Sequence, residues 1–199
     1  MTEPQVPVAP EQPVDVTIAT PDNRERVLRT IVSAFEDDPF LRLALPDDDD
    51  YAQYAPEFFG TLFDRRVERT TVWMANGGAA VALWDAPDVP LGADPTENLP
   101  KDAKTIIDAY EESVHEVMPT LPHWYLGVLA TDPEARGRGL ARAVLQRGLS
   151  HAASAALPAV LETTNPGNLE IYRRLGWRVI AEASQPLPIW ILQFDPPGS

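Results

Sequence analysis

From Val14 onward, short apolar runs trade places with stretches of helical spacing, and their order already sketches a fold. Val14–Ala19 alternates as a first strand. Val27, Leu28, Ile31, Val32 and Phe35 then recur three and four apart, the apolar face of a helix capped by Thr20 or Asp22. Glu36-Asp37-Asp38-Pro39-Phe40 stops that helix and is expected to start a loop, because the residue before a proline is pushed out of the helical region. Asp47–Asp50 reads as a solvated loop and helix cap, followed by a second helix from Ala52 to about Arg69. Val72–Ala75 and Ala79–Trp84 flank Asn76-Gly77-Gly78, a strong hairpin signal. A loop rich in Pro, Asp and Gly over residues 85–100 precedes a helix from about Asp102 to Met118. Trp124–Leu129 is a continuous apolar run of strand length, and Leu140, Val144, Leu145, Leu149 and Ala152 return to helical spacing. Glu162 ends a further strand, and Asn165–Tyr172 begins as a turn and becomes a helix with Asn165 or Asn168 as its N-cap. Gly176 closes that helix as its C′ residue. Arg178–Ala183 and Ile189–Phe194 read as the last two strands, with Pro186 and Pro188 between them. Residues 1–13 carry no period and are expected to form a disordered, proline-rich tail. Residues 14–199 make one domain without repeats.

Chemistry enters at Arg136-Gly137-Arg138-Gly139-Leu140-Ala141, which joins the apolar strand to the helix that follows it. Backbone N–H groups at a helix N-terminus and the helix dipole make a site for a phosphate. Glycines let the main chain close on the anion, and two arginines add permanent charge. Two nucleotide fingerprints fail here. A dinucleotide loop needs a third glycine where Arg142 stands, and a Walker loop needs a Gly-Lys-Ser/Thr ending in a chain whose only lysines are Lys101 and Lys104.

What remains, Arg136, Gly139 and Ala141 in an Arg/Gln-x-x-Gly-x-Gly/Ala pattern, resembles the pyrophosphate loop of the GNAT superfamily of N-acetyltransferases. Glu162 to Trp177, with Asn168, Tyr172 and the Leu175-Gly176 pair, resembles that superfamily's second signature. Within it the nearest likeness is to puromycin N-acetyltransferase and its relatives, through Ser33–Pro39, Val72-Trp73, Gly78–Val81, Leu161–Thr163 and Asn168-Leu169 with Tyr172. The resemblance implies an α/β (α+β) chain: a mixed, mostly antiparallel central sheet of about seven strands flanked by helices, splayed beside the cofactor strand. It implies acetyl-coenzyme A as the cofactor, held by Leu129, Ala130 and Thr131 at a bulge, by Arg136, Gly137, Arg138, Gly139, Leu140 and Ala141, and by Asn168 and Tyr172. It also implies direct acetyl transfer to a small-molecule primary amine, with Tyr172 as general acid and Glu162 the first candidate for general base. Asp37 and Asp38 are candidates to bind the amine. Two departures stand out: Thr131 where the family usually has an aliphatic residue, and Trp177 for the common Phe. A non-catalytic acyl-coenzyme A sensor and a protein or peptide N-acetyltransferase are the competing readings.

Composition narrows the partners. The 199 residues suffice for one sizeable core, and no 18-residue apolar run is present, so a soluble, cytoplasmic protein without membrane partners is expected. The absence of cysteine removes disulfides and cysteine acyl-enzymes, and His115, His123 and His151 have no metal-ligand spacing, so no metal is expected. Residues 1–118 carry nine Lys/Arg against 24 Asp/Glu, a net of −15, whereas residues 119–199 carry seven against six, a net of +1. The polyanionic cofactor is thereby assigned to the second half, and the acidic half either serves solubility alone or also repels nucleic acid and attracts a cation. Phe58, Phe59 and Trp190 mark either a homodimer face or core.

Overall fold

In β2 (Val72–Ala75) and β3 (Ala80–Asp85) every second side chain is apolar toward one side, and those between are apolar toward the other. A strand with two apolar faces must sit inside a sheet covered on both sides. The computed structural model, which describes residues 14–87, 89 and 92–196, shows that arrangement. Val72, Met74, Val81 and Leu83 enter one core, and Trp73, Ala75, Ala80, Ala82 and Trp84 enter another.

The remaining strands are β1 (Val16–Ile18), β4 (Trp124–Thr131), β5 (Ala159–Thr163), β6 (Arg178–Ala183) and β7 (Ile189–Phe194). They form one seven-stranded sheet in the order β1-β2-β3-β4-β5-β7-β6. All neighbours are antiparallel except β4 and β5. On the first face lie α1 (Arg24–Ala34), α3 (Asp48–Val67) and α4 (Lys101–Val117). On the other lie α5 (Leu140–Ser154) and α6 (Pro166–Arg174). No helix among the described residues is long and apolar enough to cross a membrane. The proline-rich tail expected over residues 1–13 lies outside the described residues.

Two expectations change. Residues following Asp38 do not form a loop but a short helix, α2 (Pro39–Ala44). Asp38 Oδ1 accepts from the Phe40 and Leu41 N–H groups at 3.0 and 3.2 Å, and Pro39 fills the first helical position, so the Asp-Pro pair that ends one helix starts the next. Likewise α3 begins at Asp48, with Asp48, Asp49 and Asp50 in its first turn, where the helix dipole favours carboxylates. Phe58 and Phe59 are core residues, Phe59 lying 5.2 Å from the Phe35 ring, and they form no surface face.

The junction of α5 with the sheet is set by Gly148. Trp84 is fully buried beneath it, and a Cβ added at Gly148 would come 2.5 Å from Cζ2 and Nε1 of the indole and nearer still to Cε2. Overpacking of this kind costs about 1–3 kcal/mol, whereas alanine gains about 1 kcal/mol of helix propensity. Because Trp84 has no room to swing, Gly148→Ala is expected to destabilise the protein by about 1–2 kcal/mol, read from the midpoint of urea unfolding. An unchanged or raised midpoint would show that the indole yields.

Candidate active site

The parallel pair β4/β5 has only two rungs, Trp124↔Ala159 and Tyr125↔Val160, after which the strands part. Beyond Tyr125, β4 remains paired on its other side with β3 but presents an open main-chain edge toward β5. The expected splay is present. The bulge, however, is not at Leu129–Thr131: Leu83 pairs with Val128 and Trp84 with Leu126, so Gly127 is the extra residue. Its effect is visible in the packing. Leu126 belongs to the core under α5, whereas Val128, two residues on, belongs to the core under α1 and α3. A Cβ at Gly127 would lie 2.7 Å from Arg66 Nη2, so a side chain there would have to displace the Arg66 guanidinium.

A cavity of about 1010 Å³ opens where the strands separate. Its walls include Leu129 of β4, Glu162 and Thr163 of β5, Asn168 and Tyr172 of α6, Tyr110 of α4, and Asp38 before α2. Among the described residues seven carboxylates and two arginines line it, a balance suited to a cation. Phe40 and Tyr110 form a stacked aromatic wall, with ring centroids 4.0 Å apart.

Tyr172 is placed by the way its helix starts and stops. Asn165 Oδ1 accepts from the Gly167 N–H at 2.9 Å, which makes Asn165, not Asn168, the N-cap. At the other end Gly176, with φ +92°, donates to the Arg173 carbonyl, and Trp177 N–H donates to the Tyr172 carbonyl, both at 3.0 Å. This is a Schellman closure, and its apolar contact is the edge-on packing of Tyr172 against Trp177 with centroids 5.9 Å apart. The Tyr172 hydroxyl has no hydrogen bond among the described residues. Burial, and then the charge of Glu162, push its pKa well up, so it keeps its proton at neutral pH. Asn168, one turn earlier, donates from Nδ2 to Thr163 Oγ1 at 3.3 Å.

Glu162 projects from β5 into the cavity. Its Oε1 accepts from Tyr125 Oη at 2.6 Å, and its Oε2 is buried without a hydrogen-bond partner. Burial raises its pKa to about 7 against the opposing pull of Tyr125, so the carboxyl is poised between acid and base at neutral pH. Asp38 also lines the cavity, but its Oδ1 is committed to capping α2, and burial raises its pKa against those two N–H bonds. Asp37 is exposed and does not line the cavity, so the structure separates the two predicted amine-binding carboxylates.

The predicted anion loop forms a second, smaller concavity of about 150 Å³, lined by Thr131, Arg136, Gly137, Gly139, Leu140 and Ala141. Gly137 and Gly139 have φ of +78° and +74°, which other residues adopt only with strain. Gly139 is the N-cap of α5, so the N–H groups of Leu140 and Ala141 head the helix without intrahelical acceptors. Arg136 is exposed, Arg138 donates from Nη2 to the Glu134 carbonyl at 3.2 Å, and the Ala130 side chain is in the core. An open strand edge running toward a helix-heading loop with two left-handed glycines fits an extended thiol arm ending in phosphates.

Sequence reasoning missed Tyr125, Tyr110 and Arg66. Arg66 is fully buried, paired through Nη2 with Asp85, and donates from Nη1 to the Leu62 carbonyl at 3.0 Å. Alternation along β4 and β5 puts Tyr125 and Glu162 on one face, but only once the parallel register is known.

Comparison with known proteins completes the picture. Residues 51–177 match the profile of the Acetyltransferase (GNAT) family. Among solved structures, "histone acetyltransferase HPA2 and related acetyltransferase" from Corynebacterium glutamicum is 27% identical, with a TM-score of 0.62 over 94% of this chain and 97% of its own. Arylalkylamine N-acetyltransferase 2 from Aedes aegypti is 12% identical, with a TM-score of 0.62 over 92% and 99%. The NatC complex bound to Gag peptide and CoA contains a chain 13% identical, with a TM-score of 0.56 over 92% and 98%.

Proposed function

The chain belongs to the Acetyltransferase (GNAT) family, and from that premise we propose that it acetylates the primary amine of a small molecule carrying an apolar, aromatic body. The observation that carries this reading is a cavity where one poised carboxyl, Glu162, and one protonated phenol, Tyr172, share a space walled by Phe40 and Tyr110 and dominated by carboxylates. The acidic lining gathers an ammonium ion, and the stacked aromatic wall receives its body.

Acetyl-coenzyme A would be held by the open edge of β4 from Leu129 to Thr131, by Asn168, and by Arg136–Ala141, and when bound it supplies an acetyl group on a thioester. Glu162, directly or through a water, takes the proton that the ammonium must lose before its nitrogen can attack. A main-chain N–H on the open edge of β4 polarises the carbonyl under attack. Tyr172 would give its proton to the leaving sulfur and regain one from the second proton that the nitrogen sheds as the amide forms, so that one proton in net passes to Glu162.

Thiol release from acetyl-coenzyme A tests the reading. Turnover is expected with aryl-alkyl and aminonucleoside amines and to be much weaker with spermidine. Turnover confined to basic peptides would assign a peptide acetyltransferase. Tight binding of acetyl-coenzyme A without turnover on any amine would assign a sensor.

A further inference from the structure

At the last rung before the splay, the Tyr125 side chain leaves β4 on the same face as Val160 and, two residues further along β5, Glu162. Its hydroxyl reaches diagonally across the opening and donates to Glu162 Oε1 at 2.6 Å, so the bond crosses the two strands at the point where their main chains stop bonding. Glu162 is therefore held by one oxygen, and the other is buried without a hydrogen-bond partner. A carboxylate gripped at Oε1 keeps its other lone-pair sites, but its orientation in the opening is set by that one bond.

We propose that Tyr125 is a positioning residue, whose hydroxyl fixes the Glu162 carboxylate by Oε1 at the opening between β4 and β5. This deepens the proposed function and rests on it wherever it refers to substrate. Several neighbours act on the pair. From α4, the Tyr110 hydroxyl faces the same carboxylate; from α3, Arg66 favours its charge while being neutralised by Asp85 of β3; from α6, Tyr172 faces it across the cavity. Arg65 faces Tyr125, and Asp38 faces Tyr110. Of these, Tyr125 makes the short hydrogen bond, at 2.6 Å, and Tyr110 acts on the same carboxylate more weakly. The charge-assisted bond favours the ionised carboxylate against a burial that disfavours it, so loss of the hydroxyl moves the balance toward the acid form.

Tyr125→Phe removes the donor and keeps the ring. In the protein alone, the Glu162 carboxyl is followed by its infrared band between about pH 5 and about pH 9, identified as the band absent from Glu162→Gln. The titration midpoint is expected to move up by about one pH unit in Tyr125→Phe, as a hydrogen bond to a charged group implies. It is expected to move less in Tyr110→Phe. The acid limb of the pH profile of kcat/KM should shift by the same amount. An unmoved carboxyl band in folded Tyr125→Phe, or a larger shift in Tyr110→Phe, overturns the assignment. A shifted band with an unshifted kinetic limb upholds Tyr125's hold on Glu162 and instead removes Glu162 as the base.

Discussion

Tyr172→Phe is expected to slow acetyl transfer roughly ten- to a thousandfold, the usual contribution of a general acid, with little change in the KM for acetyl-coenzyme A. Phenylalanine keeps the ring that packs on Trp177 and the Schellman closure that fixes the end of α6. Because the hydroxyl has no hydrogen bond among the described residues, its loss leaves no buried partner unsatisfied and Tm should hold. The substitution thus separates chemistry from folding. A variant that turns over at the parent rate would remove Tyr172 from the reaction and leave it as a packing residue. Steady-state kinetics with a fast-reacting amine decides this, provided chemistry rather than product release limits kcat.

Glu162→Gln should lower kcat/KM about a hundredfold at neutral pH and abolish the acid limb near pH 7, where the parent carboxyl titrates. The same residue sets a stability effect of definite sign. Its folded pKa, about 7, lies above the ordinary 4.5, so folding favours the neutral acid. That contribution is complete below about pH 4.5 and is lost as pH rises through about 7. The parent Tm should therefore fall between about pH 5 and about pH 8 by more than that of Glu162→Gln, which has nothing to ionise there. Parallel Tm curves for the two proteins would mean that the carboxyl is solvated in the fold, and the case for it as a poised base would go with them.

Much of this architecture is legible in local pattern because local physics decides it. The strand–loop–helix unit from Trp124 to Ser154 and the closure of α6 at Gly176 follow from apolar period and from glycines at positive φ, both readable without tertiary knowledge. The placement of α2 illustrates an ambiguity rather than an absence of signal, for Asp-Pro ends a helix as readily as it caps the next. Gly127 was concealed by its neighbours: Leu126 and Val128 are both apolar, and hydrophobicity cannot tell that a one-residue insertion sends them to opposite faces. Tyr125 and Glu162 meet across 37 residues through a parallel register, which no local rule supplies. The same holds for Arg66 and Asp85, two ordinary charged residues in sequence whose pairing exists only in the assembled core.

The two-rung junction of β4 and β5 has a consequence for solubility. A strand with unpaired N–H and C=O groups is ordinarily a hazard, because another chain's strand can add to it and seed aggregation, and proteins blunt such edges with charges, prolines or bulges. Here the open edge of β4 is internal to the sheet, facing β5 across a cleft. A narrow, flexible arm can lie along it, whereas a strand from another protein would have to bring side chains on both of its faces into the same gap. The fold thus keeps main-chain donors and acceptors available to a ligand while withholding them from the polymerisation that an exposed edge invites.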